Sequence, residues 1–228
     1  MTDSLKNKKV VLIDGSGYIY RAYYALPPMT RLDGKPVNAV YGFCSMMMKL
    51  LKEMPADYMA VVFDASRKTF RMDIFPEYKG TRKDVPEDLI PQFPLMRQAV
   101  DAFSLAQVEM EGFEADDLLA TYSRLAGEEG AEVTIVSADK DLMQLVGSGV
   151  TIYDPMKQKN IEAEQVIEKF GVTPDKVIDV QALAGDTSDN VPGVRGIGIK
   201  TAAALITEVW KICWITCRRS SKTNAVRF

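Results

Sequence analysis

Three carboxylates fall within four positions at Glu114, Asp116 and Asp117, where an apolar helical pattern begins that continues through Leu118, Leu119 and Ala120. Like charges this close repel, and a fold that gathers them must offset the repulsion. A divalent cation does so, and Mg²⁺ or Mn²⁺ takes oxygen ligands of this kind. Further acids stand at the ends of expected strands or in turns: Asp14, Asp64, Asp139, Asp141, Asp186 and Asp189. The expectation is that all nine converge on one metal site that cuts phosphodiesters. The bland reading of any single acid is a helix cap or a turn residue. That reading accounts for one or two of them, and less well for the set.

The composition narrows the chemistry. There is no histidine in the 228 residues, which excludes histidine-based triads, histidine-ligated zinc and histidine general bases. Cys44, Cys213 and Cys217 have no metal-knuckle or redox spacing, so free thiols in a reducing cytoplasm are expected. The polar start, residues 1–9, is unlike a signal peptide, and no apolar run approaches membrane-spanning length. Net charge is −3, from 31 acids and 28 bases. If nine acids share one ion site, the 22 that remain are outnumbered by the bases, and a basic surface around an acidic pocket suits a nucleic-acid partner.

The elements that must hold these acids can be read in order. Short apolar runs at 9–14, 59–64 and 133–136 predict buried, parallel strands, each with an acid at or just beyond its carboxyl end. In an open α/β sheet that edge is where ligands bind. Helices are expected over 18–26, 39–54, 86–104, 118–126, from Asp139 through Leu145, over 161–170 and from Pro174 to about Ala184, with further strands at 108–110 and 150–153. The Met46–Met48 run is expected to fill core. Between Ser66 and Asp84, Arg67, Lys68, Arg71, Lys79, Arg82 and Lys83 interleave with Phe70, Phe75 and Tyr78. Bases alternating with aromatic faces suit a phosphate backbone and unstacked nucleotides; a solvated basic loop is the plainer alternative. Downstream, the glycines Gly193, Gly196 and Gly198 precede Lys200 and a helix, which would present backbone N–H groups to an anion. No strand precedes them, so a dinucleotide fingerprint is not expected; a helix–hairpin–helix gripping a DNA phosphate fits better.

Taken together, these segments resemble the 5′ nuclease family, in particular the N-terminal 5′→3′ exonuclease domain of bacterial DNA polymerase I; flap endonucleases belong to the same superfamily. The residues that carry the resemblance are 11–18, 61–64, 69–71, 78–82, 112–117, 137–141 and 185–194, in that order, spanning about 8–208. The resemblance implies an α/β, PIN-like 5′ nuclease fold: a central, mostly parallel sheet flanked by helices, a helical arch and a helix–three-turn–helix DNA clamp. It implies a catalytic domain over 1–172, with the arch at about 66–92, and an incomplete helix–hairpin–helix subdomain over 173–208. It gives metal-binding roles to Asp14, Asp64, Glu114, Asp116, Asp117, Asp139, Asp141, Asp186 and Asp189, for two or more Mg²⁺ or Mn²⁺ ions, with K⁺ at the helix–hairpin–helix. Lys79 and Arg82 would contact the scissile phosphate and, with Asp116 and Asp139, form the catalytic set. Arg21, Tyr23, Phe70, Arg71, Tyr78, Gly193, Gly196, Gly198 and Lys200 join Lys79 and Arg82 as expected DNA contacts.

The implied activity is a divalent-metal-dependent 5′→3′ exonuclease and 5′ flap endonuclease, acting in primer removal and repair by a two-metal mechanism that needs no protein nucleophile. The implied substrate is DNA with a 5′ end or flap next to duplex. The implied setting is a monomer in the bacterial cytoplasm at the nucleoid, with a polymerase domain in the full-length gene product. Two alternatives stand beside it: a catalytically inactive DNA-binding paralogue or fragment, and a PIN-like ribonuclease. The motifs stop near Glu208. Residues 209–228 hold both tryptophans and two of the three cysteines without helical periodicity. Codons for Val209 to Cys217 can be written so that the neighbouring frame encodes Gly-Met-Glu-Asp-Leu-Leu-Asp-Asn-Leu, an amphipathic continuation. A frameshifted tail is therefore expected, and sequencing the gene across this junction tests it.

Overall fold

A computed structural model describes residues 4–147 and 149–208; the atypical tail lies outside the described residues. Among those residues no helix is long and apolar enough to cross a membrane.

Six strands form one sheet: β1 (Lys9–Asp14), β2 (Tyr58–Val62), β3 (Ala106–Val108), β4 (Glu132–Val136), β5 (Val150–Asp154) and β6 (Lys159–Ile161). Their order across the sheet is β3-β2-β1-β4-β5-β6, parallel throughout except for β6, which runs antiparallel to β5. The mostly parallel sheet expected from the sequence is thus present. β1 pairs with β2 on one side and β4 on the other. The chain winds outward from it in both directions, so the crevice at the carboxyl end of β1 is the topological switch point.

The strands are apolar on both faces because both faces are covered. In β1, Val10 and Leu12 enter one core, and Val11 and Ile13 enter the other. The first core is closed by α5 (Ala115–Glu128), α6 (Ala163–Phe170) and α7 (Val177–Ala184), together with a helix at 199–208 whose Ala202 and Ala203 are buried there. The second is closed by α1 (Gly15–Ala25), α2 (Asn38–Glu53) and α4 (Phe93–Ala102). Each fully buried Val, Ile or Leu contributes roughly 1.5–3 kcal/mol relative to exposure. Of the three consecutive methionines, Met47 is fully buried, Met46 packs at the edge and Met48 is exposed.

Several local expectations change. The helix expected over 86–104 is shorter: a single 3₁₀ turn at Ile90–Gln92 leads into α4, with Pro91 and Pro94 marking the start. The helix expected from Asp139 is a 3₁₀ turn over Asp141–Leu145. β6 occupies the start of the segment expected to be helical from 161. The arch segment contains one five-residue helix, α3 (Phe70–Ile74), followed by turns to residue 81 and an extended run. Pro76, Gly80, Pro86 and the left-handed Lys79 (φ 54°) interrupt helical continuation. This strap lies down on the carboxyl edge of the sheet. Lys79 N–H donates to the Asp189 carbonyl at 2.9 Å, and the Asn190 side chain donates to the Glu77 carbonyl at 2.8 Å.

Candidate active site

Asp14 is the last residue of β1 and the cap of α1, accepting the Gly17 N–H at 2.8 Å. Its other oxygen accepts from the Ser137 hydroxyl, also at 2.8 Å. Ser137, buried just after β4, accepts the Asp139 N–H in turn, at 3.0 Å. This hydroxyl ties the ends of two neighbouring strands together; it opens the 137–141 motif, yet the sequence assigned it no role of its own. Asp64, beyond β2, accepts the Ala115 N–H at 2.8 Å, so it sits at the start of α5. Asp116 projects from the first turn of that helix. Topology alone therefore brings Asp14, Asp64, Asp116 and Asp139 from four segments to one edge.

These four are not neutralised by one another. The Asp116 carboxyl accepts no hydrogen bond among the described residues. Its pKa is pushed up to about 8, first by burial and then by the charges of Asp14, Asp139 and Asp64, with Lys79 pulling the other way. Asp14 is raised mainly by burial, against the Gly17 N–H and the Ser137 hydroxyl that favour its charge. An all-oxygen donor set in which burial and neighbouring charge raise Asp14 and Asp116 fits a hard divalent cation. Among the described residues no group of three or more acidic side chains is already gathered closely enough to hold a metal ion, so the nine acids expected to converge on one ion site stand apart in three groups.

Asp141 and Asp186 flank Lys140. The Lys140 ammonium lies 2.6 Å from Asp186 Oδ2, and the Ser188 N–H donates to Asp186 Oδ1 at 2.7 Å. Burial opposes the charge of Asp186, but these two contacts outweigh it and hold the carboxyl below its ordinary range. Asp141 accepts from the Gln181 amide, and burial with Asp139 nearby raises its pKa.

The remaining three acids are engaged by the strap. Arg71 forks onto Asp117 with two bonds of 2.7 Å, and Asp117 also accepts the Glu114 N–H at 2.9 Å. Burial works against the Asp117 charge, yet the Arg71 fork and that N–H hold its carboxyl below the usual range. Glu114, buried, accepts from Lys79 at 2.9 Å and from the Tyr78 hydroxyl at 3.1 Å. Asp189 receives Arg82 at 2.5 Å and lies 3.6 Å from the Lys79 ammonium. Burial between Glu114 and Asp189 raises the Tyr78 phenol well above its ordinary pKa. Between the strap-held acids and α7 lies a cavity of about 440 Å³, bordered by Glu114, Asp116 and Asp117 on one side and Ile178, Gln181 and Val191 on another. A second groove, about 540 Å³, runs between α6 and the 199–208 helix and is lined by none of the nine acids.

The expected DNA contacts divide. Phe70, Arg71, Tyr78, Lys79 and Arg82 all stand on the strap beside the acids. Tyr23 commits its hydroxyl to Asp88 at 2.7 Å. Arg21 is half-buried, with no ion pair among the described residues. In the hairpin, Gly193 packs against backbone: a Cβ there would stand 2.3 Å from the Ala184 carbonyl carbon, and one at Gly185 would stand 2.4 Å from Gly193 N. A Cβ at Gly196 or Gly198 would meet nothing within 4 Å, so the chain is open to approach there, and Lys200 beside them is exposed.

Comparison with known proteins identifies the family. A family model for the 5′-3′ exonuclease N-terminal resolvase-like domain matches residues 9–171. A second, for the 5′-3′ exonuclease C-terminal SAM fold, matches residues 172–225 and so runs past Glu208, where the motifs stop. A 5′-3′ exonuclease of Aquifex aeolicus is 41% identical over 199 residues, covering 87% of this chain and 69% of that protein. DNA polymerase I of Rhizobium leguminosarum is 55% identical over 211 residues, covering 89% of this chain but 21% of the polymerase; the chain spans about a fifth of that relative's length. In three dimensions it is similar to T5 5′-exonuclease, solved with zinc bound, at a TM-score of 0.73 and 26% identity, covering 88% of this chain and 75% of that one. The motifs, the doubly wound sheet and the matches across both halves have one common explanation, that this chain belongs to the 5′-3′ exonuclease family.

Proposed function

We propose that this chain hydrolyses DNA phosphodiesters near a 5′ end, or at a 5′ flap adjoining duplex, with Mg²⁺ or Mn²⁺. The observation that carries the proposal is Asp116, a carboxyl without a hydrogen-bond donor, held at the switch point among three other acids. Asp14, Asp64, Asp116 and Asp139 would hold one ion, and Asp139 with Asp141 and Asp186 a second. A divalent ion there supplies Lewis-acid activation of water and of the phosphoryl oxygens.

The protein's own share is positioning and charge. Ser137 fixes Asp14 against the Asp139 backbone, so two ligand-bearing strand ends move as one. Arg71 and the Glu114 N–H keep Asp117 ionised and turned away from Asp116. Lys79 and Arg82 sit on the strap paired with Glu114 and Asp189, two acids that border the cavity, and a phosphate there would compete with those acids for their charge. The open backbone at Gly196 and Gly198, with Lys200, supports a sequence-independent grip on a duplex phosphate, with K⁺ as a candidate ion at that hairpin. Tyr78 donates to both Glu114 and Asp189 and locks the strap to the site. The T5 5′-exonuclease, solved with zinc bound, supports a divalent ion as the cofactor. Two relatives named DNA polymerase I, of which the chain matches 21% and 23%, support a place beside a polymerase in a longer gene product, where primer removal and repair are the proposed role.

The test is cleavage of a 5′-labelled flap by the purified chain, with Mg²⁺ and with EDTA, beside an RNA flap of the same sequence. Mg²⁺-dependent release of 5′ products from DNA, abolished by Asp116→Ala with residual DNA binding retained, is the expected result. Full activity in Asp116→Ala would sink the site assignment.

A further inference from the structure

Immediately before Glu114 stands Phe113, an aromatic side chain 42% exposed, and across from it on α3 stands Phe70, 39% exposed. Their ring centroids are 5.7 Å apart with a tilt of 54°. Neither ring lines the acidic cavity. Single exposed apolar residues are ordinary on a protein surface, but this pair is held in place. Phe70 N–H donates to the Gly112 carbonyl at 3.0 Å, and Thr69 pairs with Gly112 as a parallel bridge, so the backbones of both rings are joined. The Arg71 guanidinium lies over the Phe70 ring, 4.8 Å from its centroid, while it forks onto Asp117. Phe70 is thereby engaged by Arg71 and Phe113, while Phe113 keeps open surface. Lys68, two residues before Phe70, is exposed and has no ion-pair partner among the described residues.

We infer that the Phe113 ring, buttressed by Phe70, is a stacking platform for an unpaired nucleobase of the 5′ strand. The occupant follows from chemistry at this rim. An aromatic face beside unpaired positive charge takes a flat ring carried on a phosphate chain. A base within a duplex has both faces covered by its neighbours, so only an unpaired one can lie on the platform. The Phe113 ring leans on Phe70, whose neighbour Arg71 forks onto Asp117, so a base on this ring lies at the rim beside the strap-held acids. Arg71 acts here as a positioning residue, since it fixes Phe70 and Asp117 together. The inference rests on the nuclease reading above and adds a preference for an unpaired nucleotide at one position beside the cut.

The test places 2-aminopurine in turn at each of the first three unpaired nucleotides of a 5′ flap. Its fluorescence is followed as the full 228-residue chain is added in EDTA, where the strand stays intact. Quenching at one position is expected. Phe113→Ala should abolish that quench and weaken flap binding roughly five- to hundredfold, the range for one lost base–aromatic stack; Phe113→Trp should retain both. An abasic site at the same position, bound by the unaltered protein, should weaken binding by the same factor and remove the difference from Phe113→Ala. This arm does not depend on the variant's folding. No quench at any position, quenching by a blunt duplex end alone, or an abasic penalty equal in the two proteins overturns the inference. Mg²⁺-dependent flap cleavage without any dependence on Phe113 sinks the platform alone, whereas absence of cleavage sinks the nuclease reading.

Discussion

Asp116 and Asp117 are neighbours in sequence and opposites in surroundings. On a helix, consecutive side chains point in different directions. Asp116 turns toward Asp14, Asp64 and Asp139, and its pKa rises to about 8. Asp117 turns toward Arg71 and is held below the ordinary carboxylate range. One edge of the first turn of α5 thus stores repulsion, and the other is a closed ion pair with a reciprocal cap. A run of acids is therefore two structures. One has no cationic partner among the described residues and, on the proposed reading, is open to a cation from solution; the other is already supplied with a cation by the strap.

Substituting the two acids separately tests that division most directly. Asp116→Ala should lower Mg²⁺-dependent flap cleavage by at least about 10³-fold, measured as initial rates. In EDTA, Asp116→Asn should raise the melting temperature by roughly 2–4 °C for each kcal/mol of relieved repulsion. The sign follows from the raised pKa. Below pH 4 the carboxyl is protonated both folded and unfolded, and the variant gains little. From pH 4 to 8 the unfolded chain ionises while the folded one resists, so the gain should grow, then level off above pH 8. A gain that shrinks with rising pH would contradict the assignment of repulsion to Asp116.

Mg²⁺ should reverse the ranking. An ion at a hundred times its dissociation constant adds about 2.7 kcal/mol to the native state, and Asp116→Asn should forfeit most of that gain in a thermal melt. Arg71→Gln should act in the other direction from Asp116→Asn, destabilising by about 1.5–3 kcal/mol in urea unfolding through loss of a charge-assisted fork. If Arg71→Gln is neutral, the strap is not held as described. The smallest effect expected is from Ser137→Ala, about 1–2 kcal/mol for a buried hydroxyl that serves Asp14 and Asp139 together. Its activity should fall more than its stability, since Asp14 and the Asp139 backbone lose their common anchor.

Much of the frame was legible in the residues. Apolar runs ending in Asp14 and Asp64, and the run before Asp139, are short, β-branched and flanked by turn formers, so strand and ligand edge were read together. β6 escaped because three residues carry too little pattern, and α3 because prolines and charges mask one helical turn. The arch as a continuous helix was a matter of resemblance, and Pro76, Gly80 and Pro86 argue against it locally. Gly193 read as an anion contact, and the structure adds that glycine is required there because the Ala184 and Gly185 backbone approaches it closely. Phe113 carries no sequence signal of its own, because its contact with Phe70 joins residues far apart along the chain.

The sequence by itself determined the chemistry on offer: nine carboxylates, a basic aromatic strap, an open glycine hairpin and no histidine. It also determined the sheet edge at which the acids gather, because strand ends in a parallel sheet share one side. Only the tertiary structure decided which acids face one another and which face Arg71, Lys79, Lys140 and Arg82. Those partners are 35 or more residues distant along the chain for Arg71, Lys79, Lys140 and Arg82 alike. Pairing across such separations is set by how the strap and hairpin pack, and no local pattern records it.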